Sequence, residues 1–418
     1  MINAKNISDL SGIGKLTIEA VSGITDIVED LHQTILSMNG LLGSPDNHYT
    51  TGITGIVYKN IRTVTGLVGN GIDITLNKLI DILGNNDSQS SIPVSGYEAV
   101  VSALNGVVGD HLAASKNPLA ITMQLRRNGI PLSMNDNQNL SDDNEFKTAL
   151  LKSNGKIALM VHGLCMNDLE WNRQGHDHGA ALARDLGYLP IYLHYNTGLH
   201  ISENGKSFSE LMEKFINQLP KINTDKPIEI VIIAHSMGGL VSQSSCHYGK
   251  LADHRWLNHL TKLICLGTPH HGSPLEQAGN WIDILLKINP YSAPFSRLGN
   301  IRSAGVTDLR YGNLLDEDWK GESRFDCQPS ASRTPAALPD NVKCYAIAAA
   351  VNKEQDTAGD NFIGDGLVPV NSALGYHENC AFNLKYPKDN QWIGRNMNHM
   401  ELLNREDVYK VIKKWVGC

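Results

Sequence analysis

The sequence predicts an α/β fold: a mostly parallel central sheet flanked by helices on both faces, with a helical region ahead of it and an insertion late in the chain. Three observations carry that prediction. From residue 156 onward, short apolar and β-branched runs alternate with helix-compatible stretches. One such run, Ile230-Val231-Ile232-Ile233-Ala234-His235, leads directly into Ser236, and Met237-Gly238-Gly239-Leu240-Val241 leaves it as the start of a helix. Just ahead of the alternation, Asn128-Gly129 separates two extended runs, which is the strongest short hairpin signal.

Taken in order, residues 1–118 read as a helical accessory domain and 119–418 as the α/β domain. In the first region apolar residues recur at helical spacing: Ile24, Ile27, Leu31 and Ile35; Ile53, Val57, Ile61, Val64 and Val68; Tyr97, Val100, Leu104 and Val107. Glycines at 52, 55, 66, 69 and 71 interrupt them, as small residues do where helices approach closely. Two readings stand: helices packed on the α/β domain, or a peripheral surface for a lipid interface or a partner. The first is favoured because the polar face carries few Lys and Arg. Residues 84–91, rich in Asn and Ser, read as a loop. The start Met1-Ile2-Asn3-Ala4-Lys5-Asn6 shows no basic segment followed by an apolar core. No window approaches the roughly 20 apolar residues of a membrane span. A cytoplasmic protein is expected, with signal-independent export left open.

Residues 121–127 and 130–133 form the expected hairpin, and the polar tract 135–145 a loop. Strands are expected at 156–161, 189–195, 228–234, 262–267, 343–351 and 381–386, with helices near 177–186, 207–219 and 237–248. Val408, Val411, Ile412 and Trp415 mark a closing helix. Residues 274–341 interrupt the alternation with an apolar stretch around Trp281, Leu285 and Leu286, then Pro290 and Pro294.

With 418 residues, 41% of them hydrophobic, the chain can hold one large domain plus an accessory one. A net charge of −7 leaves no electrostatic footprint for nucleic acid. Seven cysteines without paired spacing argue against a disulfide framework. Cys327 and Cys344 are a candidate bridge, but buried thiols are the favoured reading for both, as for Cys165. His176-Asp177-His178 offers metal-ligand types, but histidines two apart face away from each other on a helix, and Asp177 reads as its cap. No metal and no cofactor are expected.

The chemistry centres on Ser236. A serine turned sharply between strand and helix leaves no room for bulk two residues away, and Ala234 and Gly238 are small. The helix that follows points free N–H groups at the serine, where an oxyanion would form. A serine hydroxyl needs an imidazole to take its proton, and the imidazole needs a carboxylate to hold its tautomer. Gly364-Asp365-Gly366 follows the apolar run ending at Val351, and Asn398-His399-Met400 precedes the closing helix, so Ser236, Asp365 and His399 stand in the order this architecture requires. Asp356 and Asp360 compete for the acid and His377 for the base; the competing reading of His399 is a helix cap. The run 156–161 ends in His162-Gly163-Leu164. There the glycine lets the backbone turn so that Leu164 N–H, with Met237 N–H, forms the oxyanion hole. His162 reads as support for this loop rather than as the base.

From about Gly155 to its end the chain resembles α/β-hydrolases of the lipase and esterase type, notably bacterial triacylglycerol lipases and the serine esterases related to GPI inositol-deacylases. The resemblance rests on Val161-His162-Gly163, Ala234-His235-Ser236-Met237-Gly238-Gly239, Leu266-Gly267-Thr268-Pro269-His270-His271-Gly272-Ser273, Asp365-Gly366-Leu367-Val368-Pro369 and Asn398-His399-Met400. Ala234 stands where the pattern usually has glycine, and the long N-terminal extension has no counterpart in it. The resemblance implies an α/β-hydrolase fold with a lid in the 274–341 insertion, the competing reading there being a helix packed into the core, and hydrolysis of hydrophobic acyl esters or lipids through an acyl-enzyme. Around the substrate it sets His162, Gly163, His235, His270, His271, Trp281 and Leu285. It raises calcium near the Asp365 loop by analogy only. An acyltransferase or amidase using the same triad stays open, as do a non-catalytic lipid-binding or scaffolding protein and a homo-oligomer.

Overall fold

The computed structural model describes residues 94–134 (with side chains from 98), 140–220, 227–272, 303–320, 333–353 and 363–418. The expectations for 1–93, Trp281, Leu285, Cys327, Asp356 and Asp360 lie outside these residues. Strands β1 (Gln124–Arg127), β2 (Ile130–Pro131), β3 (Lys156–Val161), β4 (Leu189–His194), β5 (Glu229–His235), β6 (Leu260–Leu266), β7 (Lys343–Ala350) and β8 (Gln391–Arg395) form one eight-stranded sheet. Its order is β2-β1-β4-β3-β5-β6-β7-β8. The hairpin β1–β2 pairs antiparallel, and β1 lies antiparallel to β4; every other pair is parallel.

β5 lies between β3 and β6, and Ile230 through Ala234 are 0% exposed, which is why this run is continuously apolar rather than alternating. Helices α1 (Val94–Ala114), α2 (Asn144–Lys152), α3 (His178–Leu186), α4 (Ile201–Gln218), α5 (Met237–Leu251), α6 (Ala304–Tyr311), α7 (Val370–Ala373) and α8 (Glu406–Gly417) cover the sheet and link its strands. Val100, Leu104, Val107 and Leu112 of α1 join the same core as the sheet. So do Val306 and Leu309 of α6, inside the 274–341 insertion. No helix among the described residues is long and apolar enough to cross a membrane.

The structure corrects the sequence reading at four places. The last strand is β8, not 381–386; there Cys380–Phe382 is a 3-10 turn, and Leu384 and Tyr386 are buried from irregular backbone. Helix α4 begins at Ile201, six residues early, because Glu203 reaches back to the His200 N–H and closes a cap. The tract expected as loop holds a 3-10 turn at Leu140–Asp142 and runs into α2, capped by Asp143. His176 and His178 do not face apart: Nε2–H of His176 meets Nδ1 of His178 at 2.8 Å, because His176 lies ahead of the helix, which Asp177 caps as expected.

Candidate active site

The end of β5 and the start of α5 hold Ser236 in a conformation few residues adopt, with φ 54° and ψ −124°. Strain of this kind persists only where the surroundings fix it. Ser236 N–H donates to Leu266 O at 2.8 Å, and its own carbonyl accepts from Gly239 N–H at 3.0 Å. A Cβ on Gly238 would lie 2.5 Å from Val161 O and 2.7 Å from His162 O, so α5 starts flush against the end of β3. That contact explains the small residue two places after the serine.

Asp365 and His399 arrive from the ends of β7 and β8. The glycines beside Asp365 take φ of +55° and +93°, and a Cβ on Gly364 would come within 2.0 Å of Val368 O. The resulting tight loop lets Asp365 Oδ1 accept from the N–H groups of Leu367 (2.9 Å) and Val368 (2.7 Å). Its Oδ2 meets His399 Nδ1 at 2.7 Å, and Asp365 O accepts from His399 N–H at 3.0 Å. With a carboxylate at Nδ1, the ring proton sits there and Nε2 carries the lone pair. Leu266 and Gly267 bring the serine and the imidazole together. Leu266 O holds Ser236 N–H, and a Cβ on the next residue, Gly267 (φ +57°), would lie 3.0 Å from His399 Cε1. Ser236 Oγ and His399 Nε2 are both buried, and neither has a hydrogen-bond partner among the described residues.

The loop after β3 closes the other side. A Cβ on Gly163 would stand 3.0 Å from Ser236 Cβ, tighter than ordinary contact, so glycine lets the loop approach this closely without displacing the serine. His162 Nδ1–H donates to Gly163 O at 2.9 Å, and Tyr195 stacks on the His162 ring while its hydroxyl donates to His162 O at 2.8 Å. Burial holds His162 neutral by pushing its pKa down to about 3. No backbone carbonyl among the described residues accepts the N–H of Leu164 or Met237. His235 sits against the imidazole, ring centroids 4.7 Å apart, and its Nε2–H reaches His399 O at 3.3 Å. Burial, then the neighbouring His399, holds its pKa well below the usual imidazole value.

The structure thus brings Ser236, Asp365, His399, His162, Gly163, Leu164, His235 and Met237 together. His270 and His271 instead take polar partners of their own. His270 Nε2 meets the Tyr386 hydroxyl at 3.1 Å, and His271 Nδ1 accepts from Arg333 at 2.9 Å. His377 is exposed and rests against His271 and Phe382, far from the role of a base. Tyr195, Asn196 and Thr197 were not singled out as site residues by the sequence reading, whereas Gly267 stood in a motif carrying the resemblance. Their signal was position: all follow a strand at the carboxyl edge of the sheet, where such folds build sites.

Residues 152–336 match the family model described as the PGAP1-like alpha/beta domain. The chain has an α/β-hydrolase fold. Solved structures similar to this α/β-hydrolase include the mature lipase BlEst2 of Bacillus licheniformis, at 15% identity over 63% of this chain and 91% of that one, TM-score 0.38. Lipase 1 of Pelosinus fermentans is 12% identical over 63% of this chain and 98% of its own, TM-score 0.36. Phospholipase PlaB of Legionella pneumophila is 17% identical over 52% and 45%, TM-score 0.34. No curated protein matches the chain.

Proposed function

We propose that this α/β-hydrolase is a serine carboxylester hydrolase acting on hydrophobic acyl esters. The observation that carries the reading is the Asp365–His399 bond of 2.7 Å at Nδ1, with Nε2 and the Ser236 hydroxyl both left without partners. In the reaction, Ser236 Oγ attacks the ester carbonyl carbon as His399 Nε2 takes its proton. The carbonyl oxygen becomes an oxyanion facing the N–H groups of Leu164 and Met237 at the positive end of α5. The imidazolium returns the proton to the departing alkoxide, leaving an acyl-serine. Water then repeats the sequence: His399 takes its proton, the acid leaves, and Ser236 regains its hydrogen. Asp365 stabilises the cation that His399 twice becomes. Apolar side chains at Leu164 and Met237 beside the serine, and the sequence resemblance to lipases, support a hydrophobic acyl group.

Ser236→Ala is expected to lower turnover of soluble chromogenic esters by about 10⁴- to 10⁶-fold while leaving the thermal midpoint nearly unchanged. A variant that keeps most of its activity would refute the assignment. A chain-length series on the wild-type protein, in solution and in micelles, defines the acyl group; a preference for acetyl over longer chains would contradict the hydrophobic one.

A further inference from the structure

Helix α1 lies ahead of the stretch that matches the family model, yet its backbone rests on the oxyanion loop. A Cβ on Gly106 would lie 2.2 Å from Cys165 Sγ and 3.0 Å from Cys165 Cα. Cys165 follows Leu164 and is held left-handed at φ 58°, a conformation a cysteine adopts only under constraint. Its N–H donates to Thr197 Oγ1 at 3.2 Å. The loop bearing Thr197 is itself pressed onto α1. Asn196 Nδ2 donates to Gly109 O at 2.9 Å, and a Cβ on Gly198 would lie 2.2 Å from Asn105 O. Val108, at φ −134° and ψ 21°, kinks the helix between these contacts. Gly106 O accepts from Ser303 Oγ at 2.6 Å. Farther along, Glu98 of α1 and Asp168, beyond the loop, both pair with Arg126.

We propose that α1 is a brace for the oxyanion hole: Gly106, with Asn196 and Thr197, locks Cys165 and thereby aims the Leu164 N–H. These are positioning residues, and the proposal rests on the hydrolase reading given above. The Leu164 N–H lies in the Gly163–Leu164 peptide, whose carbonyl His162 holds on one side. α1 holds the next peptide, Leu164–Cys165, from the other side, so Leu164 is clamped between two fixed planes.

Gly106→Ala tests this, because alanine otherwise favours a helix interior and any loss must come from the contact. The expected result is a fall of roughly tenfold to a hundredfold in kcat for a soluble ester, with KM little changed. Affinity for a trifluoromethyl ketone, whose adduct carries the oxyanion, falls in parallel. The pair Gly106→Ala with Cys165→Gly, which removes the clash and tolerates the left-handed turn, is expected to recover most of both. Wild-type kcat and inhibitor affinity in Gly106→Ala would overturn the proposal, as would a loss that follows the thermal midpoint and is not rescued. Iodoacetamide labelling of Cys165, read by peptide mass, checks the brace without turnover: protected in the wild type, labelled in Gly106→Leu. Equal protection in both would also overturn it. A wild-type Ser236 inert toward fluorophosphonate would instead strike at the hydrolase reading, leaving the labelling result to judge the brace.

Discussion

Strands β5 and β8 deliver the nucleophile and the base of the proposed reaction, and they are built in opposite ways. β5 is central, flanked by parallel strands on both sides and buried from Ile230 to His235. β8 is an edge strand paired only with β7, and its Gln-Trp-Ile-Gly-Arg run is mostly half-exposed. Packing of the strand and backbone bonds therefore set the serine, whereas side-chain polar contacts set the imidazole. Asn398 caps the turn that carries His399 through the N–H groups of Met400 and Glu401, Glu401 reaches back to Asn398 N–H at 2.7 Å, and Asp365 holds the base at both its N–H and its ring. The same chemistry at one pocket is supported by dispersion and exclusion of water on one side and by a hydrogen-bonded frame on the other.

Several substitutions sharpen or break this contrast. Asp365→Asn keeps a carbonyl for the Leu367 and Val368 N–H groups but gives Nδ1 the wrong partner, so turnover is expected to fall by about 10⁴-fold with the fold intact. A fall under tenfold would mean the frame does not act through the ring. Acid comes next. Burial holds His162 at about 3 and His178, whose Nε2–H donates to Leu402 O in the His399 turn, at about 4. The unfolded chain takes these protons near 6.5, so stability is full above that pH and falls as pH drops toward 4, by about 1.4 kcal/mol per unit for each imidazole. Urea midpoints at pH 7.5, 6 and 5 should decline in that order; a flat series contradicts the burial. Ile232→Ala in β5 is expected to cost about 2–5 kcal/mol, and Ile393→Ala in β8 clearly less, under about 1.5 kcal/mol. Equal costs would erase the distinction between the strands. Smallest is Asn398→Ala, worth about 1 kcal/mol of stability as a lost cap, with a severalfold lower kcat if that cap orients His399.

The contrast also explains what could be read from the sequence. A strand buried on both faces must be apolar throughout, so Ile230 to Ala234 announced itself, and the turn at Ser236 followed from the small residues around it. An edge strand has no such requirement. The alternating Ala381-Phe382-Asn383-Leu384-Lys385-Tyr386 imitated a strand because Leu384 packs on Gly375 and Tyr386 reaches His270, contacts made by irregular backbone. That Asp365 and His399 meet could be anticipated from residue type and chain order alone. The pairing of His176 with His178 and the seat of α1 on Cys165 were not. Both depend on backbone geometry, a residue lying just outside a helix or a left-handed turn under a glycine, that side-chain periodicity does not encode.

The central claim is that Ser236 is the nucleophile activated by His399. Fluorophosphonate treatment of the full chain, followed by peptide mass, tests it most directly. One adduct on Ser236, strongly slowed in His399→Ala, is the predicted result. No adduct, an adduct on another residue, or an unchanged rate without the imidazole would contradict the account.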